Sequence, residues 1–169
     1  GMLGLIEDLN HITGMHFKNE GDIIVIAGED AEELGGSEYL KVVHGLVKGL
    51  PPVCDLVKEK KLHDFTLKAI RDGLINSAHD VSEGGVAITI IESCIADEEK
   101  PVGANVKVEG SREDFALFSE SQARILFSIS PENLPKFEAI ASESGVPVKI
   151  IGKTGGSKLK INDMEFDTF

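Results

Sequence analysis

The stretch Ser77-Ala78-His79-Asp80-Val81-Ser82-Glu83-Gly84-Gly85-Val86 constrains this chain more than any other, because it sets a strand end, two ionisable groups and a glycine-rich turn against the start of an apolar helix. The first-turn N–H groups of a helix point out of its end, and the macrodipole adds partial positive charge there. Such a corner suits an anion without a basic side chain, and Gly84 and Gly85 let the backbone approach closely. The same residues also read as an ordinary turn, with Ser82 or Asp80 as a cap and His79 as a hydrogen-bonded structural histidine. Alternatively, histidine at such a place serves proton transfer.

A second corner repeats the form. Asp22-Ile23-Ile24-Val25-Ile26-Ala27-Gly28 reads as a buried strand, an acidic loop from Glu29 to Glu33 follows, and Leu34-Gly35-Gly36-Ser37-Glu38-Tyr39-Leu40 opens a helix with Ser37 as N-cap. Two anion-competent helix starts in one small domain favour a phosphorylated ligand more than either does alone. A third polar segment, Leu117-Phe118-Ser119-Glu120-Ser121-Gln122-Ala123-Arg124, leads into Ile125-Leu126-Phe127-Ser128-Ile129. Ser119, Ser121 and Gln122 have donors for ligand oxygens, and Glu120 accepts from an amide or hydroxyl or sits near a metal. The alternative is a serine-rich turn before a half-buried strand.

Gly-Gly-Ser-Glu-Tyr-Leu at 35–40, Ser-Ala-His-Asp-Val-Ser-Glu-Gly-Gly at 77–85 and Phe-Ser-Glu-Ser-Gln-Ala-Arg at 118–124 occur in the order and approximate spacing of the C-terminal domain of the phosphoribosylformylglycinamidine synthases. The chain resembles that family from about Leu5 to Met164. It is more loosely similar to the C-terminal domains of aminoimidazole ribonucleotide (AIR) synthetase, selenophosphate synthetase and the hydrogenase-maturation and thiamine-monophosphate kinases.

The charge balance agrees with a ligand held by backbone donors. With 29 acidic against 17 basic residues the formal charge is -12, which argues against nucleic acid, where Lys and Arg must neutralise phosphates. No signal peptide, membrane-spanning run or low-complexity tract is evident, and Cys54 and Cys94 lack metal-ligand spacing, so a cytoplasmic domain with reduced thiols is expected. The acidic run Glu29-Asp30-Ala31-Glu32-Glu33 reads as a solvated loop, and no metal ligands are assigned.

At 169 residues the chain suffices for one core. Strands are expected near 3–6 and at 22–28, 74–79, 103–108, 123–130, 147–152 and 157–161. Helices are expected over 37–48, 56–73 and 85–96, with another after Pro131-Glu132-Asn133. Segment 104–108 reads as an exposed-edge strand, and Gly155-Gly156 as the turn of a hairpin. The fold class is α+β: a mixed sheet with packed helices, the layered α/β sandwich that the resemblance also implies. Residues 1–169 are read as one domain excised from a longer chain that would continue into a helix.

The resemblance implies an ATP-dependent conversion of formylglycinamide ribonucleotide to formylglycinamidine ribonucleotide with ammonia from a glutaminase, and with ATP and Mg²⁺ handled largely by N-terminal domains. By that likeness Gly35, Gly36, Ser37, Ser82, Gly84 and Gly85 contact substrate or nucleotide phosphate, His79 and Asp80 form the polar catalytic pair, and Ser119, Glu120 and Gln122 complete the rim. The isolated domain is expected to be inactive and to self-associate as a homodimer. A related superfamily kinase or synthetase, or a non-catalytic interaction domain, remains the alternative.

Overall fold

The structure, a computed structural model, describes residues 4–167. Its centre is β1, Ile23–Ala27, whose five side chains are all buried. Successive strand residues point to opposite faces, and here both faces are covered. Ile24 and Ile26 enter one core with Val86, Ile90 and Leu117, whereas Ile23, Val25 and Ala27 enter a second with Leu62, Phe65 and Phe137. An unbroken apolar run, instead of an alternating one, is the consequence of this double burial.

Helix α2, Leu56–Arg71, covers the second core with Leu62, Phe65 and Ala69, spaced to share a helix face. Asp55 caps it by accepting from the Val57 and Lys58 N–H groups, and Lys68 and Arg71 complement its C-terminal dipole. Beside it lies α5, Leu134–Ser144. Phe65, Phe127 and Phe137 meet edge to face there, with centroids 5.0–6.1 Å apart. The opposite core is covered by α3, Gly85–Ile95, and α4, Glu113–Phe118. Thr89 and Ser93, buried in α3, donate their hydroxyls to the carbonyls of Gly85 and Thr89, so no polar atom is stranded by that burial.

The remaining strands are β2 (Ser77–Asp80), β3 (Ala104–Val106), β4 (Ile125–Ile129), β5 (Val148–Thr154), β6 (Lys158–Ile161) and β7 (Met164–Asp167). Their order in the single sheet is β2-β4-β1-β5-β3-β6-β7. Every pairing is antiparallel except β3 with β6. The mixed sheet between two helical layers is the expected α+β sandwich.

Several local expectations are corrected. Strand β3 is not at an edge: it lies between β5 and β6, with Ala104 and Val106 buried. It therefore separates the strands flanking Gly155-Gly156, which form no hairpin with each other. The hairpin is instead β6–β7, closed at Asn162-Asp163 with Asn162 at φ 53°. Met164–Asp167 forms the strand β7, which was not among the expected strands. Helix α1, Glu38–His44, stops short of residue 48 because Gly45 adopts φ 66° and terminates it, its N–H donating to the Lys41 carbonyl while that of Leu46 reaches Leu40. Helix α4 was not anticipated in the segment before Ser119. Residues 4–6 form no strand, and residue 3 of that expected element lies outside the described residues.

Candidate functional site

The three sequence segments converge, and Glu120 is where they meet. One carboxylate oxygen, Oε1, accepts from the Gly84 N–H at 2.8 Å and from the Glu38 N–H at 2.9 Å. Both donors stand at helix starts, those of α3 and α1, so the carboxylate is an internal anion where two dipoles present positive charge.

The other donors at the corners are largely committed as well. Ser37 caps α1, its Oγ accepting from the Leu40 N–H at 3.3 Å and donating to the Leu34 carbonyl at 2.7 Å. The N–H groups of Gly36, Ser37 and Gly85 donate to Lys48, Leu34 and Ser82 carbonyls. Among the described residues, exposed Ser82 carries no such bond from its hydroxyl, and the Gly35 N–H is likewise uncommitted. Glycine is required for shape at both corners. Gly84 and Gly85 have φ 78° and 67°, and a Cβ on Gly35 would lie 2.0 Å from the Leu50 carbonyl oxygen.

Behind Glu120, Ser119, expected at the rim, and Ser121, expected only as a donor for ligand oxygens, are structural. Ser119 and Ser121 are buried. The Glu33 N–H donates to Ser119 Oγ at 2.9 Å, the Ala31 N–H to Ser121 Oγ at 3.1 Å, and the two hydroxyls lie 3.0 Å apart. Ser119 thus latches the acidic loop 29–33 and offers no donor to a ligand. That loop is pinned through its backbone while Glu29, Asp30 and Ala31 stay exposed, as a solvated loop should. Gln122, whose Nε2 donates to the Glu120 carbonyl at 3.4 Å, lines a cavity of about 540 Å³ with Gly28, Lys58, Lys61, Leu62 and Val146.

Arg124, which sequence reasoning passed over, holds this region together. Its side chain is 1% exposed; Nη2 donates to the Ser119 carbonyl at 2.6 Å, Nε to Ser121 at 3.0 Å, and Nη1 pairs with Asp30 at 3.1 Å. Burial pulls the guanidinium below its ordinary pKa, and Asp30 and Glu33 oppose that shift. A charged residue entering a strand as apolar as Ile125–Ile129 was the available signal.

His79 and Asp80 end β2. His79 is 11% exposed, with Nε2 2.9 Å from Glu92 Oε2 and Nδ1 3.5 Å from Asp80 Oδ1. Its ring is held by Glu92 of α3, a residue that was not among the expected site residues. Asp80 is exposed and free to accept from a ligand. Among the described residues no three His, Cys, Asp or Glu side chains are grouped to hold a metal, and no helix is long and apolar enough to cross a membrane.

The family model described as AIR synthase related protein, C-terminal domain, matches residues 19–163. Phosphoribosylformylglycinamidine synthase subunit PurL of Caldanaerobacter subterraneus subsp. tengcongensis is 50% identical over 163 residues, which cover 96% of this chain and 22% of that protein. The chain therefore spans 22% of the length of this relative. Among solved structures, T. maritima PurL complexed with ATP superposes with a TM-score of 0.74 at 22% identity, over 95% of this chain and 27% of that one. T. maritima PurL complexed with FGAR gives 0.73 at 21% identity, over 95% and 29%. At those identities the superpositions establish a common fold.

Proposed function

This chain belongs to the family of AIR synthase related proteins, C-terminal domain, and on that premise we propose that it is the C-terminal domain of a phosphoribosylformylglycinamidine synthase, PurL. The observation that carries the reading is 50% identity to a named PurL across 96% of the chain. In the proposed reaction the glycinamide carbonyl oxygen of formylglycinamide ribonucleotide, on the carbon bonded to the ribosyl nitrogen, takes the γ-phosphoryl group of ATP, releasing ADP. Ammonia then attacks the activated carbon and phosphate leaves, giving the amidine. Such a site must hold a ribose phosphate, keep water from the activated intermediate and place ammonia in line.

This chain would supply one wall of that site. Ser82 Oγ and the Gly35 N–H are candidate donors for a substrate phosphate, within the shape set by Gly36, Ser37, Gly84 and Gly85. Asp80 would accept from a substrate amide or ribose hydroxyl, and His79, braced by Glu92, would orient it. Mg²⁺, which nucleotide enzymes hold through one or two carboxylates together with the phosphates, is assigned to the ATP-handling part of the enzyme. ATP binding is supported by T. maritima PurL complexed with ATP, and its role as phosphoryl donor is part of the proposed reaction.

The proposed partners are N-terminal domains of the same enzyme and a glutaminase that delivers ammonia, in the cytoplasm. Helix α1 buries no residue in this chain, and Val42, Val43, Val47, Leu50 and Val53 are exposed on it and the following loop. That apolar surface favours a partner, and a homodimer of the isolated chain is expected in light scattering. The alternatives, another ATP-using member of the superfamily or a non-catalytic interaction domain, are separated by one assay. The full-length protein carrying this domain should form formylglycinamidine ribonucleotide from ATP, ammonia and formylglycinamide ribonucleotide, and this chain alone should form none; product from the isolated chain, or none from the full-length protein, refutes the reading.

A further inference from the structure

We infer that Glu120 is a positioning residue: its carboxylate ties the corner at 35–37 to the corner at 82–85 and thereby sets the gap that a substrate must span. The role rests on the synthase reading proposed above, but its geometry stands independently. Glu38 and Gly84 are separated by 46 positions in the sequence, yet their N–H groups converge on one oxygen at 2.9 and 2.8 Å. Two donors sharing one acceptor are served best by an anionic oxygen, which is stronger than a neutral one and complements both helix starts.

What Glu120 secures on each side differs. Helix α3 is deeply embedded, so Gly84 stands on a fixed element. Helix α1 buries none of its residues and has little packing of its own to locate it. The stack of Tyr39 on Phe118, with centroids 4.8 Å apart, aligns its face, and the Glu120 bond to Glu38 fixes its end. Glu120 is itself immobilised. Its N–H donates to the Glu33 carbonyl at 3.1 Å, and Arg124 grips the carbonyls of Ser119 and Ser121 on either side. A rigid support on this scale is what accurate placement of ligand groups demands.

Two measurements test the assignment. In this chain, amide hydrogen exchange at Glu38 and Gly84 should accelerate together by about 10-fold or more in Glu120→Ala, and by less in Glu120→Gln, which keeps an acceptor oxygen. In the full-length enzyme, Glu120→Ala should raise KM for formylglycinamide ribonucleotide by about 10-fold while kcat falls much less, with Glu120→Gln intermediate. Unchanged exchange at both amides, or a folded and active Glu120→Ala enzyme with wild-type KM and only a lowered melting temperature, overturns it. A wild-type enzyme that makes no formylglycinamidine ribonucleotide instead refutes the synthase reading, and the exchange experiment still decides whether Glu120 couples the corners.

Discussion

Gly85 passes so close to Ser119 that a Cβ on it would lie 2.6 Å from the Ser119 carbonyl oxygen. The same carbonyl accepts from Arg124, so it has little room to retreat. Gly85 also holds φ 67°, a conformation that disfavours every L side chain. Gly85→Ala is expected to cost about 3 kcal/mol, combining left-handed strain and overpacking, as a lowered midpoint in urea unfolding. A midpoint equal to wild type would show that the α3 start is looser than described. Gly84→Val tests phosphate binding poorly, because its Cβ would lie 2.3 Å from Ile88 Cγ1 and the fold would suffer first.

The sandwich was legible because β1 is apolar throughout and α2 repeats Leu62, Phe65 and Ala69 at helical spacing. The place of β3 was not. Three residues alternating as Ala104-Asn105-Val106 look like an edge, and only their pairing with β5 and β6, distant in sequence, buries them. The three motif segments were found from composition, yet their relation was hidden. Nothing local in Phe118-Ser119-Glu120 indicates that the carboxylate serves Gly84 and Glu38, so Glu120 read as a ligand contact although it acts between protein backbones. The serines misled for the same reason: a hydroxyl in a polar run does not disclose that it is buried.

Arg124→Met should be among the more damaging substitutions in the chain. It would leave the Ser119 and Ser121 carbonyls without their donor and Asp30 without its cation. Each buried carbonyl left without its donor costs about 1–3 kcal/mol, so the total loss should reach about 3 kcal/mol. Asp30→Asn, whose partly exposed side chain retains an acceptor, should cost about 1 kcal/mol. Equal losses for the two variants in urea unfolding would contradict this division.

The two cysteines should differ sharply in reactivity. Cys54 is exposed, whereas Cys94 is buried in α3 and burial pushes its thiol up to about 12. A raised thiol pKa leaves almost no thiolate near neutrality, and the thiolate is the reactive form. An aromatic disulfide reagent at pH 7.5 to 8 (roughly the range where an ordinary thiol begins to ionise) should modify one thiol per native chain and both after unfolding. Rapid modification of Cys94 in the native protein would show that α3 opens readily.

A synthase that makes an amidine from a ribonucleotide amide must release ADP in a substrate-dependent way, and the full-length protein can be assayed for that release. With ATP and ammonia present, release should depend on formylglycinamide ribonucleotide and match the formylglycinamidine ribonucleotide formed, one for one. Release that responds instead to formylglycinamidine ribonucleotide, selenide or thiamine monophosphate, with no response to formylglycinamide ribonucleotide, would contradict the account and move the chain to another member of its superfamily.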